Sequence, residues 1–215
     1  AERYQNKQMI RNENRIMEIQ EVSHRIPKKQ GNPFGIEFRP SKITFGTQDK
    51  DEKVFVLVRR HWITNLGWLI ASFFYLFLPI GLVLFFNAFE VGVAISVELQ
   101  ILLIITYYSV VITNIIRQFL DWFYDLYIVT NDRVVSYAFT PFTSYSVMEA
   151  MLENIEEVKE SSVGLIPGLF DYGNVFVRTA SDKGEFKFGK IPSPTLVRDI
   201  IADLSEIARK YSNAA

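Results

Sequence analysis

Histidine is the commonest side-chain base and metal ligand, and this 215-residue chain has only His24 and His61, with no cysteine. Both lie before residue 119, outside the region where short strand-like segments gather. A Ser-His relay, a Cys-His pair or a His-based metal centre therefore has little to be built from. Gly164, Gly168 and Gly173 are spaced too loosely for a phosphate-cradling loop and no G-x-x-x-x-G-K-[ST] occurs, so they are read as turn formers in GLIPGLFDYGN. Glu153, Glu156, Glu157 and Glu160 form the densest carboxylate group. They read as a solvated acidic face rather than a catalytic pair or a cation site. The expectation is a chain that is not an enzyme, with no cofactor, no metal and no nucleic-acid partner.

The elements around these residues account for the shortage of chemistry. From His61 to Phe89 there is no Asp, Glu, Lys or Arg, and the stretch is dense in Leu, Ile, Phe and Val. A second apolar block, Leu99 to Ile116, lies between Glu98 and Arg117 and can borrow residues from Val91 to Val97. A helix of about 20 such residues crosses a hydrocarbon core about 30 Å thick. Spans are expected near 63–86 and 93–116 in a transmembrane hairpin covering 51–118. The competing reading, two buried core helices of a soluble protein, lacks enough amphipathic sequence to wrap them. A signal peptide is not expected, because the first apolar block starts some 60 residues in and no cleavage site follows a short apolar core. Asn65, Glu98 and Asn114 are polar groups in or beside the spans, where such groups mark transport paths. Two helices enclose no pore unless the protein oligomerises, which ranks a transport-complex subunit behind the readings below.

Basic residues fix an orientation. Arg59, Arg60 and His61 precede the first span and Arg117 follows the second, whereas the connection from Asn87 to Gly92 carries Glu90 and no base. By the positive-inside rule both termini face the cytoplasm of a multi-pass cell-membrane protein. Arg59, Arg60 and Arg117 are the candidate lipid-headgroup contacts. Trp62, Trp68 and Trp122, with Phe123, fall near the flanking ends of the spans, as rings that prefer the headgroup layer would.

Residues 1–60 hold thirteen Lys plus Arg against eight Asp plus Glu, and residues 117–215 hold ten against fourteen, so the arm is basic and the C-terminal region acidic. Within the arm, 1–50, the residues Met9, Ile10, Ile16, Met17 and Ile19 recur at roughly helical spacing among polar residues. Ala1 to Val22 reads either as an amphipathic helix for a partner helix or lipid, or as a solvated tail. HRIPKKQGNPFGIEFRPS reads as a linker or extended segment. Lys53 to Val58 is a short apolar run that fits a strand or the first turns of the span equally well.

Beyond Arg117 the pattern becomes short segments divided by turn signals. DWFYDLYIVT and RVVSYAF, around Asn131-Asp132, read as a hairpin. Thr143 to Val147, Val175 to Thr179 and Glu185 to Phe188 are further strand candidates, with Asp182-Lys183-Gly184 as a turn. Met148 to Lys159 is ambiguous, because Met148, Met151, Leu152, Ile155 and Val158 also make a helical stripe. Ser193 and Pro194 mark a helix start, followed by an apolar face of Val197, Ile200, Ile201, Leu204, Ile207, Ala208 and Tyr211 that must pack on a small antiparallel sheet.

FYDLYIVTNDRVV, LENIEEVKESSVGLIPGLFDYGNVFVRTA and FGKIPSPTLVRDII, in this order and preceded by EKVFVLVRRHW, resemble the bacterial pleckstrin-homology (PH) domain membrane proteins over roughly Asp51 to Leu204. The resemblance implies an α+β membrane protein. In it a transmembrane helical hairpin is followed, over 119–211, by a PH-like partly open antiparallel β-barrel of about seven strands with a C-terminal helix. It also implies that Ile155 to Glu160 is a strand. The function it suggests is a membrane-anchored interaction module, an adaptor or assembly factor binding a protein partner or a second copy at the cytoplasmic face; the alternative is a lipid or headgroup sensor.

Overall fold

The computed structural model describes residues 11, 13–22, 35–40, 46, 48, 52–89, 96–140, 144–180 and 185–212. His24, most of the linker and the Asp182-Lys183-Gly184 turn lie outside these. The chain divides into two compact units: Ala1–His61, Asp125–Ala138 and Tyr145–Ala215 make one, and Trp62–Tyr124 with Phe139–Ser144 the other.

The second unit is helical. A 3-10 turn, Trp62–Asn65, leads into α2 (Leu66–Ala88), and α3 (Val97–Tyr124) follows. At about 1.5 Å per residue these helices are roughly 35 and 42 Å long, and both are long and apolar enough to cross a membrane. Phe73, Phe74, Leu84, Ile105 and Val110 are all exposed, a surface that water disfavours and hydrocarbon accommodates. α3 runs eight residues past the end of the span expected at 116.

Pro79 lies inside α2. It has no N–H to donate to the carbonyl four residues back, that of Tyr75. The hydroxyl of Tyr107 on α3 donates to this carbonyl at 2.6 Å, and that of Tyr108 donates to the Leu76 carbonyl at 3.1 Å. In hydrocarbon a backbone carbonyl must find a donor within the protein, and two adjacent tyrosines supply it across the hairpin.

Among the described residues there are eight strands: β1 (Ile36–Phe38), β2 (Val54–Arg59), β3 (Leu126–Thr130), β4 (Arg133–Thr140), β5 (Ser144–Met151), β6 (Ile155–Ser161), β7 (Tyr172–Thr179) and β8 (Glu185–Pro192). They form two antiparallel sheets, β1-β2-β3-β4-β5 and β6-β7-β8. The sheets do not close into a barrel. β2 is a strand because it is bonded on both sides, Val58 opposite Ile36 and Tyr127, Val56 opposite Phe38 and Val129. β1 falls inside the segment read as a linker.

Val56, Val58, Tyr127, Val129 and Val134 face the main core, where they meet Val175, Val177, Phe188 and Ile191 of the second sheet. Ile128 and Val135, register partners, form a smaller cluster with Val54. α5 (Pro194–Ser212) closes the core with Val197, Ile200, Ile201, Leu204 and Ala208 buried, the stripe read from sequence. It packs on the 3-10 turn Leu152–Asn154, on β6 and on β7.

Residues 13–22 form a helix, α1, in the same unit. It docks on its own chain through Ile19 and Val22 against the core, Arg15 to Asp132 at 2.8 Å and Lys210 to Glu18 at 2.6 Å. Ile16 and Met17, two of the residues in the expected stripe, are exposed. The docking face is instead Arg15, Glu18, Ile19 and Val22, at helical spacing but half charged, and an apolar count does not pick it out.

Candidate membrane-proximal site

The sheet unit hands the chain to the helical unit and takes it back between neighbouring strand ends, since Arg59 of β2 pairs with Leu126 of β3. Just beyond the ladder, the Arg60 guanidinium and the Asp125 carboxylate meet at 2.6 Å, with Asp125 buried. A charge-assisted contact of this kind, shielded on one side, fixes both chain crossings together. His61 donates its backbone N–H to the Lys190 carbonyl at 2.8 Å and stacks its ring on Tyr172 with centroids 5.5 Å apart. Burial pushes the His61 imidazole below its usual range and favours the neutral ring, against a smaller upward pull from Asp171.

Tyr127 lies beneath this cluster. Its ring stacks on Phe188 at 4.5 Å and its hydroxyl oxygen accepts the Gly189 N–H at 3.0 Å, tying the two sheets together. Burial raises its phenol above the usual range, with the Gly189 bond acting the other way. Lys190 N–H donates to Asn174 Oδ1 at 3.0 Å and Ser193 Oγ to Asp171 Oδ2 at 2.7 Å. Asp171, Lys190 and Ser193 all have positive φ, so this end of the unit is made of tight, side-chain-braced turns. Ser193 precedes α5 as expected, but its hydroxyl serves Asp171.

A second polar group sits at the β3-β4 turn, Thr130-Asn131-Asp132-Arg133. Thr130 Oγ1 donates to Glu52 Oε1 at 2.6 Å and accepts the Arg133 N–H at 3.0 Å. Arg133 Nε meets the same Glu52 oxygen at 3.1 Å, and its Nη1 meets Glu149 at 2.9 Å. Glu52, Thr130 and Arg133 are buried. Arg133, the only base of this turn, is thus spent between two glutamates, and Asp132 is paired with Arg15. Asn131 braces the turn to the start of β2, accepting the Lys53 N–H at 2.7 Å.

The residues singled out in sequence are dispersed. Arg59 is half-buried at the end of β2, Arg60 is paired with Asp125, and Arg117 is exposed on α3. Trp62 is exposed, Trp68 is half-buried and donates its indole N–H to Asn65 Oδ1 at 3.0 Å, and Trp122 is buried; the exposed rings in its part of α3 are Phe119, Phe123 and Tyr124. Glu98 stands in the first turn of α3 and Asn114 is exposed along it. Glu153 and Glu156 are exposed, Glu157 pairs with Lys159 at 3.0 Å and Glu160 with Arg198 at 3.5 Å. Among the described residues no three His, Asp or Glu side chains gather as a metal site. Nothing local in the sequence marks Glu52, Asp125, Tyr127 or Thr130 as members of a polar cluster, and the Asn131-Asp132 turn signal is the nearest pointer to them. No family model, curated protein or solved structure matches the chain.

Proposed function

We propose that this chain is a membrane-anchored, PH-like interaction module that binds another protein, or a second copy of itself, at the cytoplasmic face. The observation that carries this reading is β5. It stands at the edge of the five-stranded sheet, and Val147, Met148 and Met151 are exposed on it, so neighbouring residues on both faces are uncovered. An edge strand with apolar residues at the rim is suited to strand addition by a partner. The burial of Arg133 between Glu52 and Glu149 argues against the headgroup-sensor alternative, since it removes the one base of the β3-β4 turn from outside contact.

Membrane anchoring is supported by the exposed apolar lengths of α2 and α3. The β2-β3 ladder requires residues 59 and 126 to be adjacent, so an inserted hairpin must begin and end on one side. Arg59, Arg60 and Arg117 favour the cytoplasm as that side. Purification of the intact chain in mild detergent should retain a stoichiometric protein partner or a second copy, released by Met148→Asp with Met151→Asp. Retained lipid with no protein would favour the sensor. Reporters at Ala215 and near Asn87 should fall on opposite sides of the membrane, and a common side for both would end the hairpin reading.

A further inference from the structure

Between β6 and β7 the chain runs from Ser161 to Phe170 without a charged residue. Its apolar side chains point outward: Leu165 is 93%, Val163 83% and Leu169 80% exposed, and Ile166 is exposed as well. The base of this loop is firmly built. Gly164 takes φ 115°, and the short helix α4 (Leu165–Leu169) closes through Gly168 N–H to the Gly164 carbonyl at 3.3 Å and Phe170 N–H to the Ile166 carbonyl at 3.1 Å. Ser162 Oγ donates to the Tyr172 carbonyl at 3.2 Å. The strands approach so closely here that a Cβ on Gly173 would fall 2.2 Å from Ser162 Oγ. A formed loop therefore holds four large apolar side chains away from its own core, the kind of patch that marks an interaction surface.

The position of the loop's root indicates what covers it. Tyr172, two residues past Phe170, carries the ring on which His61 stacks, and the residue after His61 is Trp62, where the apolar helical unit begins. Asp125, the first residue back from the helices, pairs with Arg60 beside it. The loop root and both crossings thus share one end of the sheet unit. We propose that Val163 to Phe170 inserts into the headgroup and outer acyl layer of the bilayer; this rests on the reading that α2 and α3 span it. An apolar segment of this kind is buried about 5–10 Å at such a boundary. The contact is made by Leu, Ile, Val and Phe, so it holds the sheet unit against lipid without choosing among headgroups. The covalent spans supply the high local concentration that a short loop lacks.

The chain has no cysteine, so single cysteines can be placed cleanly. Leu165→Cys, Phe77→Cys in α2 and Glu156→Cys at the far end of β6 are each labelled with an environment-sensitive fluorophore in the full chain. The labelled proteins are reconstituted into phosphatidylcholine–phosphatidylglycerol vesicles containing a mixture of lipids with a nitroxide at a shallow or at a deep acyl position. The expected result is loss of fluorescence at Leu165 comparable with that at Phe77, and none at Glu156. If Leu165 behaves like Glu156 while Phe77 is quenched, the loop proposal fails and the spanning reading stands; if Phe77 also escapes quenching, the spanning reading fails and takes the proposal with it. A Leu165 label shielded from aqueous iodide yet untouched by the lipid nitroxide would show protein covering the loop, and would overturn lipid as the occupant.

Discussion

Tyr107→Phe removes one hydroxyl and should loosen the α2-α3 hairpin by an amount set by Pro79. The Tyr75 carbonyl lacks the helical N–H that residue 79 would give, and the Tyr107 hydroxyl stands in at 2.6 Å. Leaving a buried carbonyl unsatisfied costs about 1–3 kcal/mol, whereas hydrogen bonds between membrane helices average only about 0.6 and reach about 1.7 kcal/mol. Because the usual donor is absent, the cost should sit near the top of the second range, about 1.5 kcal/mol. Pro79→Ala restores the N–H, so Tyr107→Phe made on that background should cost under about 0.5 kcal/mol. Tyr108→Phe should also be mild, since the Leu76 carbonyl has a residue with an N–H, Ile80, four positions on. Dodecyl sulfate titration of the purified chain in mixed micelles, followed by fluorescence of Trp62, Trp68 and Trp122, gives the four free energies of the cycle. Equal costs of Tyr107→Phe in the native chain and in the Pro79→Ala background, or no cost in either, would refute the assignment of the tyrosine to the proline-freed carbonyl.

Arg133→Ala strips the guanidinium from a buried carboxylate and should destabilise the sheet unit by about 3–5 kcal/mol, while Arg133→Met with Glu52→Gln should recover most of that in denaturant unfolding. Leu204→Asp forces a charge into the contact between α5 and the sheet and should cost several kcal/mol, against a small effect for exposed Arg209→Ala; equal melting of the two would show that α5 does not dock on this face. A chain in which Asn-Gly joins Arg60 to Asp125 should fold without the helices, because Arg59 and Leu126 are already opposite one another, whereas 119–211 alone, lacking β1 and β2, should not give a dispersed amide spectrum. The Lys210 hydrogen bond holds the Glu18 carboxyl below its usual range, so its contribution to α1 docking is complete above the ordinary carboxylate range and is lost as pH falls through the lowered value. Wild type and Glu18→Gln should therefore differ in unfolding at neutral pH and converge once the pH falls below the lowered Glu18 value.

The elements legible in sequence are those whose burial pattern is one-sided. α5 shows its stripe because a single face docks, and β7 alternates buried and half-exposed residues, the period-2 pattern of a strand. β2 is buried along its length, so VFVLV carries no alternation and suits a strand or a helix start alike. The helical stripe from Met148 to Val158 arises from a coincidence of two strands. β5 ends at Met151, the 3-10 turn Leu152–Asn154 occupies three residues, and β6 restarts at Ile155, so buried Leu152 and Ile155 fall three apart without an α-helix between them. The resemblance to PH-domain membrane proteins implies about seven strands in one partly open barrel, whereas the described residues place eight strands in two sheets, with β1 and β2 contributed from before the helices.

The polar clusters were hidden for a related reason. Glu52 and Arg133 are 81 residues apart, and Arg60 and Asp125 flank the whole helical unit, so no local window contains both partners of either pair. What brings them together is the insertion of the helices between two strands that are neighbours in one sheet. This order has a physical consequence for assembly. β2 emerges before α2 and α3 but finds its β3 partner only after both helices have been made and their ends brought side by side. Closing so long a loop is slow unless the intervening chain is already ordered, and a hairpin held by Tyr107 and Tyr108 is such an ordered insert. The hairpin therefore acts as the turn of a very long β-hairpin, and the Arg60–Asp125 contact forms once it has returned the chain to where it left.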